Sequence, residues 1–193
     1  MDSPADKRAA FRDLLACLDL RARPEQARFR ERMLLLLDEE PGCFDRDTYP
    51  AHFTGSALVV SQDGERILLN HHRKLGRWMQ FGGHCDGDAD LLGVAMREAW
   101  EESGIKGLTP LQTTPFDLDI HTLPPTPKEP GHFHYDVRFL LVAPAGAEPK
   151  VSEESLDVRW FTSDALDALA LDSSVIRMVA RWRAINDFSA SGT

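Results

Sequence analysis

The feature that most constrains this chain is a predicted helix over residues 90–103 that carries several carboxylates on one face. At about 100° per residue they occupy an arc of about 100° near the C-terminal end of the helix. They are Glu98, Glu101 and Glu102. Like charges at this spacing destabilise a helix, and the negative end of the helix dipole adds to the effect. The pattern therefore indicates a cationic partner.

Divalent metal is the partner that suits this face best. Arg97 can reach Glu101 four residues on, but one guanidinium does not neutralise three carboxylates. Mg²⁺ or Mn²⁺ would neutralise them, because such ions bind a few carboxylates, keep some waters and use substrate phosphates as the remaining ligands. The alternative is a solvated acidic face with a surface Arg–Glu pair, since runs of charge are usually solvated.

Residues upstream of the helix favour the metal interpretation. Gly83 stands fourteen residues before Arg97, and residues 97–105 read REAWEESGI. This stretch resembles the Nudix box, which is a glycine, five residues, a glutamate, seven residues, then Arg-Glu, an apolar residue, any residue, Glu-Glu, any residue, a glycine and an apolar residue. One position departs from the pattern, because the upstream glutamate falls on Ala89. The resemblance to the Nudix hydrolases extends over about residues 52–182.

This resemblance implies a fold and a chemistry. The expected fold is an α/β/α sandwich with a mixed β-sheet, and the expected enzyme cleaves nucleoside diphosphates linked to another moiety with Mg²⁺ or Mn²⁺. The implied metal ligands are Glu98, Glu101 and Glu102 with the backbone carbonyl of Gly82 or Gly83. The implied catalytic residues are Glu98 as a base, Arg97 as the residue that orients the glutamates, and a loop glutamate, Glu154 or then Glu153.

A basic segment precedes the glycine pair in an otherwise acidic chain. Lys plus Arg is 22 and Asp plus Glu is 31, a net charge of −9, which disfavours binding to nucleic-acid polymers and anionic membranes. Local cations must therefore hold the phosphates of a small-molecule substrate. The predicted substrate-binding residues are His71, Arg73, Lys74 and Arg77. The alternative is a solvated loop.

Four segments make up the predicted organisation. They are an N-terminal helical extension at 1–45, a linker at 46–51, the Nudix domain at 52–182 and a C-terminal tail at 183–193. Two periodic apolar segments, the second opened by Pro24, predict a helical hairpin in the extension. Because amphipathic helices bury their apolar stripe, the hairpin is expected to pack on the body or to form a homodimer.

Within the domain, strands and helices alternate. Asp63-Gly64 between apolar runs predicts a β-hairpin, and Gly104 is expected to end the box helix in a left-handed conformation. Further strands are predicted at 116–123, 134–143 and 157–162. A C-terminal helix is predicted over 163–182 with Ser163 as its N-cap. This order predicts a mixed sheet with helices on its faces.

Other metal motifs are weaker. The Asp86, Asp88 and Asp90 spacing starts like a calcium loop, but the glycine position is Leu91 and the twelfth position is Arg97. Asp88 or Asp90 is instead expected to cap the helix. A zinc site is conceivable on the later strands, although the spacing is not diagnostic. Its residues would come from Asp117, Asp119, His121, His132 and His134.

The sequence thus predicts a Nudix pyrophosphohydrolase that hydrolyses a diphosphate linkage in a nucleoside diphosphate derivative or related small phosphate compound. Two alternatives stay open: a non-catalytic nucleotide-sensing module, and an enzyme like isopentenyl diphosphate isomerase, for which Cys85 would supply the thiol. The glutamate cluster favours hydrolysis. Apolar runs are too short for a membrane span and the N-terminus lacks an apolar signal core, so a cytoplasmic location is expected.

Overall fold

The computed structural model describes residues 3–190, and the side chains up to residue 186. Residues 1–2 of the predicted extension and 191–193 of the predicted tail lie outside the described residues. The chain forms two compact units. The first comprises Met1–Ser56, Gly82–Ala95 and Gln112–Phe139, and the second comprises Ala57–Phe81, Met96–Leu111 and Leu140–Thr193. No described helix is both long and apolar enough to cross a membrane.

Along the described chain, two helices precede four strands, and a single helix separates these from four further strands and two final helices. The helices of the described residues are α1 (Pro4–Ala16), α2 (Pro24–Glu39), α3 (Leu91–Ser103), α4 (Ser163–Leu166) and α5 (Ser173–Ala190). The strands are β1 (Ala51–Val60), β2 (Arg66–His72), β3 (Arg77–Met79), β4 (Phe81–His84), β5 (Thr109–Pro110), β6 (Asp117–Leu123), β7 (His132–Val142) and β8 (Ser155–Thr162). They form one sheet in the order β3-β2-β1-β7-β5, with β4 on β1, β6 on β7 and β8 on β2. The mixed sheet with flanking helices and the N-terminal helices confirm the predicted fold class.

In the first unit, the N-terminal helices bury their apolar stripe within the chain. A capping box starts α1, with Ser3 Oγ accepting from the backbone N–H of Asp6. The Phe11 ring packs edge-on against Phe44 and Phe53, with ring centroids 6.1 and 5.4 Å apart. Because Phe53 belongs to β1, this stripe is covered by the chain's own strand, as the packing interpretation of the hairpin expects.

A buried ionic cluster joins the strands of the first unit. The Arg138 side chain is 2% exposed and donates to Asp136 at 2.6 Å, Asp119 at 3.1 Å and Asp117 at 3.5 Å. Asp136 also accepts from the hydroxyl of Ser56 at 2.6 Å. Buried charges are tolerated when they are paired and hydrogen-bonded, so this cluster fixes β6 and β7 against β1.

In the second unit, the predicted hairpin is confirmed. Gly64 adopts a positive φ of 74° in the turn, and β1 pairs antiparallel with β2. On its other edge β2 pairs antiparallel with β8, with Leu68 opposite Trp160. The side chain of Asn186 in α5 donates to the carbonyl of Gly64 and so anchors that helix at the turn.

The prediction of one C-terminal helix over 163–182 is wrong, because the segment forms α4 and α5. Thr162, not Ser163, is the N-cap of α4, and the Ser163 hydroxyl accepts from Arg183 Nε at 2.8 Å. Asp172 Oδ1 accepts from the backbone N–H groups of Ser174 and Val175, both at 3.0 Å. Capping by Asp172 starts a new helix where periodicity alone predicted continuation.

Candidate metal and phosphate site

Helix α3 begins at an aspartate cap. Asp90 Oδ1 accepts from the backbone N–H of Gly93 at 3.0 Å, and the Asp90 N–H donates to Asp88 Oδ1 at 3.0 Å. The prediction that one of these residues caps the helix is thus confirmed. A Cβ on Gly55 of β1 would lie 2.8 Å from Val94 Cγ1 of the helix. The first turn of α3 is therefore capped and held close to β1.

Replacing Asp90 by alanine is expected to lower the free energy of unfolding by about 0.5–2 kcal/mol, because the Gly93 N–H loses its acceptor. Urea denaturation followed by circular dichroism measures this. Asp13→Ala, at an exposed position inside α1, is the matched control and should change stability by less. Equal free energies of unfolding for Asp90→Ala and Asp13→Ala would show that the Asp90 side chain does not stabilise α3 as a cap.

The other end of α3 is also fixed as the sequence predicted. Gly104 has a φ of 67°, and its N–H donates to the carbonyl of Trp100 at 2.7 Å. The carbonyl of the buried Ser103 accepts from the N–H of Lys150 at 2.7 Å. These bonds hold the C-terminal turn, which carries the glutamates, in the second unit.

Two of the three glutamates are largely withdrawn from solvent. The Glu98 side chain is 18% exposed and Glu102 is 8% exposed, whereas Glu101 is exposed. Arg97 forms a salt bridge with Glu98, with Nη2 and Oε1 2.8 Å apart. Buried carboxylates are paired or coordinate metal ions, and a hard divalent cation accepts oxygen ligands of this kind. The donor set of α3 thus fits Mg²⁺ or Mn²⁺.

These carboxylates do not converge on one point. Among the described residues, the trio of His, Cys, Asp or Glu whose ligand atoms lie within 4.8 Å of one another is His52, His132 and His134. Mutual repulsion separates like charges that share a helix face, and a bound cation removes that repulsion. The glutamates therefore provide the ligand chemistry, and the ion would have to draw them together.

Arg73 has a different environment from the one predicted. Its Nε donates to the carbonyl of Glu153 at 2.9 Å, its Nη2 to the carbonyl of Ser155 at 2.8 Å, and its backbone N–H to the carbonyl of Glu154 at 2.9 Å. The guanidinium thus ties the turn after β2 to the loop before β8. The structure thereby brings together two predicted site residues, Arg73 and Glu154.

The other two cations of the basic segment are exposed, as Arg73 is, but have fewer fixed partners among the described residues. Lys74 and Arg77 are exposed, and Arg77 Nη1 lies 3.9 Å from Asp172 Oδ2. The His71 ring stacks on Trp78 with centroids 4.9 Å apart and an interplanar angle of 19°. Lys74 and Arg77 are therefore both open to solvent.

Gly82, the predicted carbonyl ligand, lies in β4 of the first unit. A Cβ at this position would lie 2.2 Å from Ser56 Oγ and 2.8 Å from Ser56 Cα on β1. Only glycine fits so close to a neighbouring backbone. The close pairing of β4 with β1 thus accounts for the first glycine of the pair.

A histidine cluster in the first unit was predicted only in part, because the zinc candidates included His121, His132 and His134 but not His52 or His84. His52 and His84 contact the predicted pair His132 and His134, with ring centroids 4.9 to 5.2 Å apart. Burial and the surrounding imidazoles lower the pKa of His134 to about 2. Burial, with Arg46 nearby, lowers that of His84 to about 4. The signal in the sequence was the H-x-H pair on β7 together with single histidines on neighbouring strands.

Asp117 and Asp119 do not contribute to that cluster as the predicted zinc site required. Both carboxylates bind the buried Arg138. His121 donates from Nδ1 to Asp119 at 3.1 Å, and its ring lies 5.4 Å from that of His134. The aspartates are therefore engaged by a guanidinium, and imidazoles make up the cluster.

The sequence and fold of this chain are similar to those of known proteins. A profile of the NUDIX domain matches residues 52–182. A Nudix-family hydrolase from Clostridium perfringens aligns with 69% of this chain and 97% of its own, at 20% identity and a TM-score of 0.56. A Caenorhabditis elegans Ap4A hydrolase complex aligns over 70% and 97%, at 16% identity and a TM-score of 0.56. The Escherichia coli dihydroneopterin triphosphate pyrophosphohydrolase aligns over 66% and 91%, at 19% identity and a TM-score of 0.51. No curated protein sequence matches the chain.

Proposed function

Because this chain belongs to the Nudix family, we propose that it hydrolyses a diphosphate linkage in a nucleoside diphosphate derivative or related small phosphate compound, using Mg²⁺ or Mn²⁺. The observation that carries this proposal is the pair Glu98 and Glu102, which lie one turn apart on α3 and are largely buried. A helix face of this kind suits hard cations that also bind phosphate oxygens.

The reaction requires an attacking water, neutralisation of the phosphoryl oxygens and in-line geometry. Divalent ions held by Glu98, Glu101 and Glu102 would supply charge neutralisation and lower the pKa of a bound water. Arg97 orients Glu98 by donating to its Oε1.

Glu154 is proposed as the base that takes the proton of the attacking water. Its backbone carbonyl accepts from the Arg73 N–H, so the position of its loop is fixed by the basic segment. The alternative base is Glu98, which would then combine metal binding with proton transfer. Gly82 remains a predicted carbonyl ligand.

Lys74 and Arg77 are proposed to bind the substrate phosphates, and the His71–Trp78 stack would border them. Arg73 is proposed as a positioning residue, since its guanidinium donates to the carbonyls of Glu153 and Ser155. This division of roles among the basic residues has a direct kinetic consequence.

Lys74→Ala is expected to raise KM about tenfold with kcat little changed, because a charge-assisted hydrogen bond contributes about 1.5–3 kcal/mol. Arg73→Ala should instead lower kcat and the melting temperature together, because the loop before β8 loses its anchor. Steady-state kinetics and thermal unfolding measure both effects, with the exposed Lys106→Ala as control. A pure KM effect in Arg73→Ala would assign that guanidinium to substrate instead.

A panel of nucleoside diphosphate derivatives, incubated with Mg²⁺ or Mn²⁺ and read by mass spectrometry, tests the function. If the protein hydrolyses the substrate, the summed mass of the products exceeds that of the substrate by one water. No products should form when EDTA is present. A nucleotide-sensing module would bind without turnover, and an isomerase would give a product of unchanged mass. The thiol of Cys85, which the isomerase alternative needs, is 1% exposed and donates to the carbonyl of Phe53 at 3.3 Å.

A further inference from the structure

The histidine cluster of the first unit is a second assembly of ligating groups. Its members come from four strands: His52 from β1, His84 from β4, His121 from β6, and His132 and His134 from β7. They meet because β4 pairs with β1 and β6 pairs with β7. His52 and His132 are 1% and 4% exposed, so these two rings lie in the interior of the unit, whereas His121 lies at its surface.

Three of these imidazoles have the spacing of metal ligands. One ring nitrogen from each of His52, His132 and His134 lies within 4.8 Å of the others. The Nε2 atoms of His132 and His134 are 3.3 Å apart, which is also hydrogen-bond distance. A tetrahedral zinc ion bonded at about 2.0–2.1 Å separates two of its ligands by about 3.3 Å. The distance between the two nitrogens therefore agrees with a shared ion.

Backbone carbonyls set the tautomers of two of these rings. Nδ1 of His132 lies 2.9 Å from the carbonyl oxygen of Pro130, and Nδ1 of His52 lies 3.1 Å from that of Thr48. A carbonyl only accepts, so each Nδ1 carries the proton and each Nε2 presents a lone pair. Metal-bound histidines have this arrangement, in which the distal N–H is held by a carbonyl or carboxylate.

His52 supplies a second, independent observation that points to a ligand. Its Nε2 is buried and has no hydrogen-bond partner among the described residues. Buried polar atoms are rarely left without a partner, and an ion is one group that satisfies a lone pair. The neighbouring His84 is excluded as an Nε2 ligand, because its Nδ1 accepts from Arg46 Nη2 at 2.6 Å and its proton therefore lies on Nε2.

We propose that His52, His132 and His134 form a binding site for a divalent transition-metal ion of the zinc type, with a fourth position open to water. Neutral imidazole suits Zn²⁺, whereas Mg²⁺ requires oxygen ligands. The ligand chemistry thus separates this site from the glutamates of α3, and neither proposal depends on the other.

Metal analysis of the full-length protein tests the site. Protein stripped with EDTA, loaded with Zn²⁺ and dialysed is expected to retain one zinc per chain, with millimolar Mg²⁺ unable to displace it. His52→Ala and His134→Ala should each weaken zinc binding at least tenfold. His71→Ala, a histidine of the second unit, and Glu102→Gln should bind zinc like the wild type. Retention of zinc by His134→Ala, or loss of it in Glu102→Gln, would overturn the assignment.

A second measurement needs no variant. Wild-type crystals soaked in Zn²⁺ are expected to give an anomalous peak at zinc-to-nitrogen bonding distance from His52, His132 and His134. Absence of this peak, with a direct hydrogen bond between the His132 and His134 rings in its place, would show that the cluster is a metal-free network. Because this measurement does not depend on turnover, it tests the zinc site separately from the hydrolytic function.

Discussion

Glu102→Gln is expected to lower kcat more than about tenfold at saturating Mg²⁺, because the amide removes a charged metal ligand while preserving shape. Glu102 is 8% exposed on the last full turn of α3, so the lost charge is poorly replaced by solvent. Steady-state hydrolysis of a substrate identified in the panel measures the effect. The Mg²⁺ concentration needed for half-maximal rate should also rise.

Glu65→Gln, an exposed glutamate in the turn between β1 and β2, is the matched control and should keep the wild-type rate. Thermal unfolding separates lost catalysis from lost fold, and Glu98→Gln repeats the test at the neighbouring ligand. Wild-type kcat and Mg²⁺ dependence in both Glu98→Gln and Glu102→Gln would remove α3 from the mechanism.

Arg138→Met is expected to reduce the free energy of unfolding by about 3–5 kcal/mol, because removing one partner of a buried ionic cluster leaves uncompensated charge. Three carboxylates depend on this guanidinium, and its side chain is 2% exposed. They are Asp117, Asp119 and Asp136. Urea unfolding measures the loss from the midpoint and slope.

Arg159→Met is the matched control for that experiment. Arg159 pairs with Asp157 at 2.5 Å, but its side chain is 63% exposed. Surface ion pairs contribute about 0–1 kcal/mol, so this variant should be nearly as stable as the wild type. The free energy of unfolding of Arg138→Lys should lie between those of the two methionine variants. The lysine ammonium keeps the positive charge but not the planar set of donors of a guanidinium. Equal stability of Arg138→Met and Arg159→Met would contradict the structural role of the cluster.

Local signals explain why the box helix could be predicted. Asp90 caps it, Gly104 ends it, and the glutamate arc lies between them, all within fifteen residues of sequence. Each of these signals acts through bonds along the helix, so no tertiary information is needed. The Asp63-Gly64 hairpin was predictable for the same reason.

Features that depend on distant residues were not predictable. Arginine is a residue type that commonly binds phosphate, but the guanidinium of Arg73 donates to carbonyls 80 and 82 residues further along the chain. His52 and His132 meet only because the sheet brings their strands together. Arg138 lies two residues from Asp136 on β7, but Asp117 and Asp119 reach it only through the pairing of β6 with β7.

The most direct test of the catalytic proposal is an anomalous-scattering map from crystals of the wild-type protein soaked in MnCl₂. Manganese is expected on α3, bonded to carboxylate oxygens of Glu98 and Glu102. A map from fully soaked crystals that shows no manganese peak at these carboxylates would contradict the account.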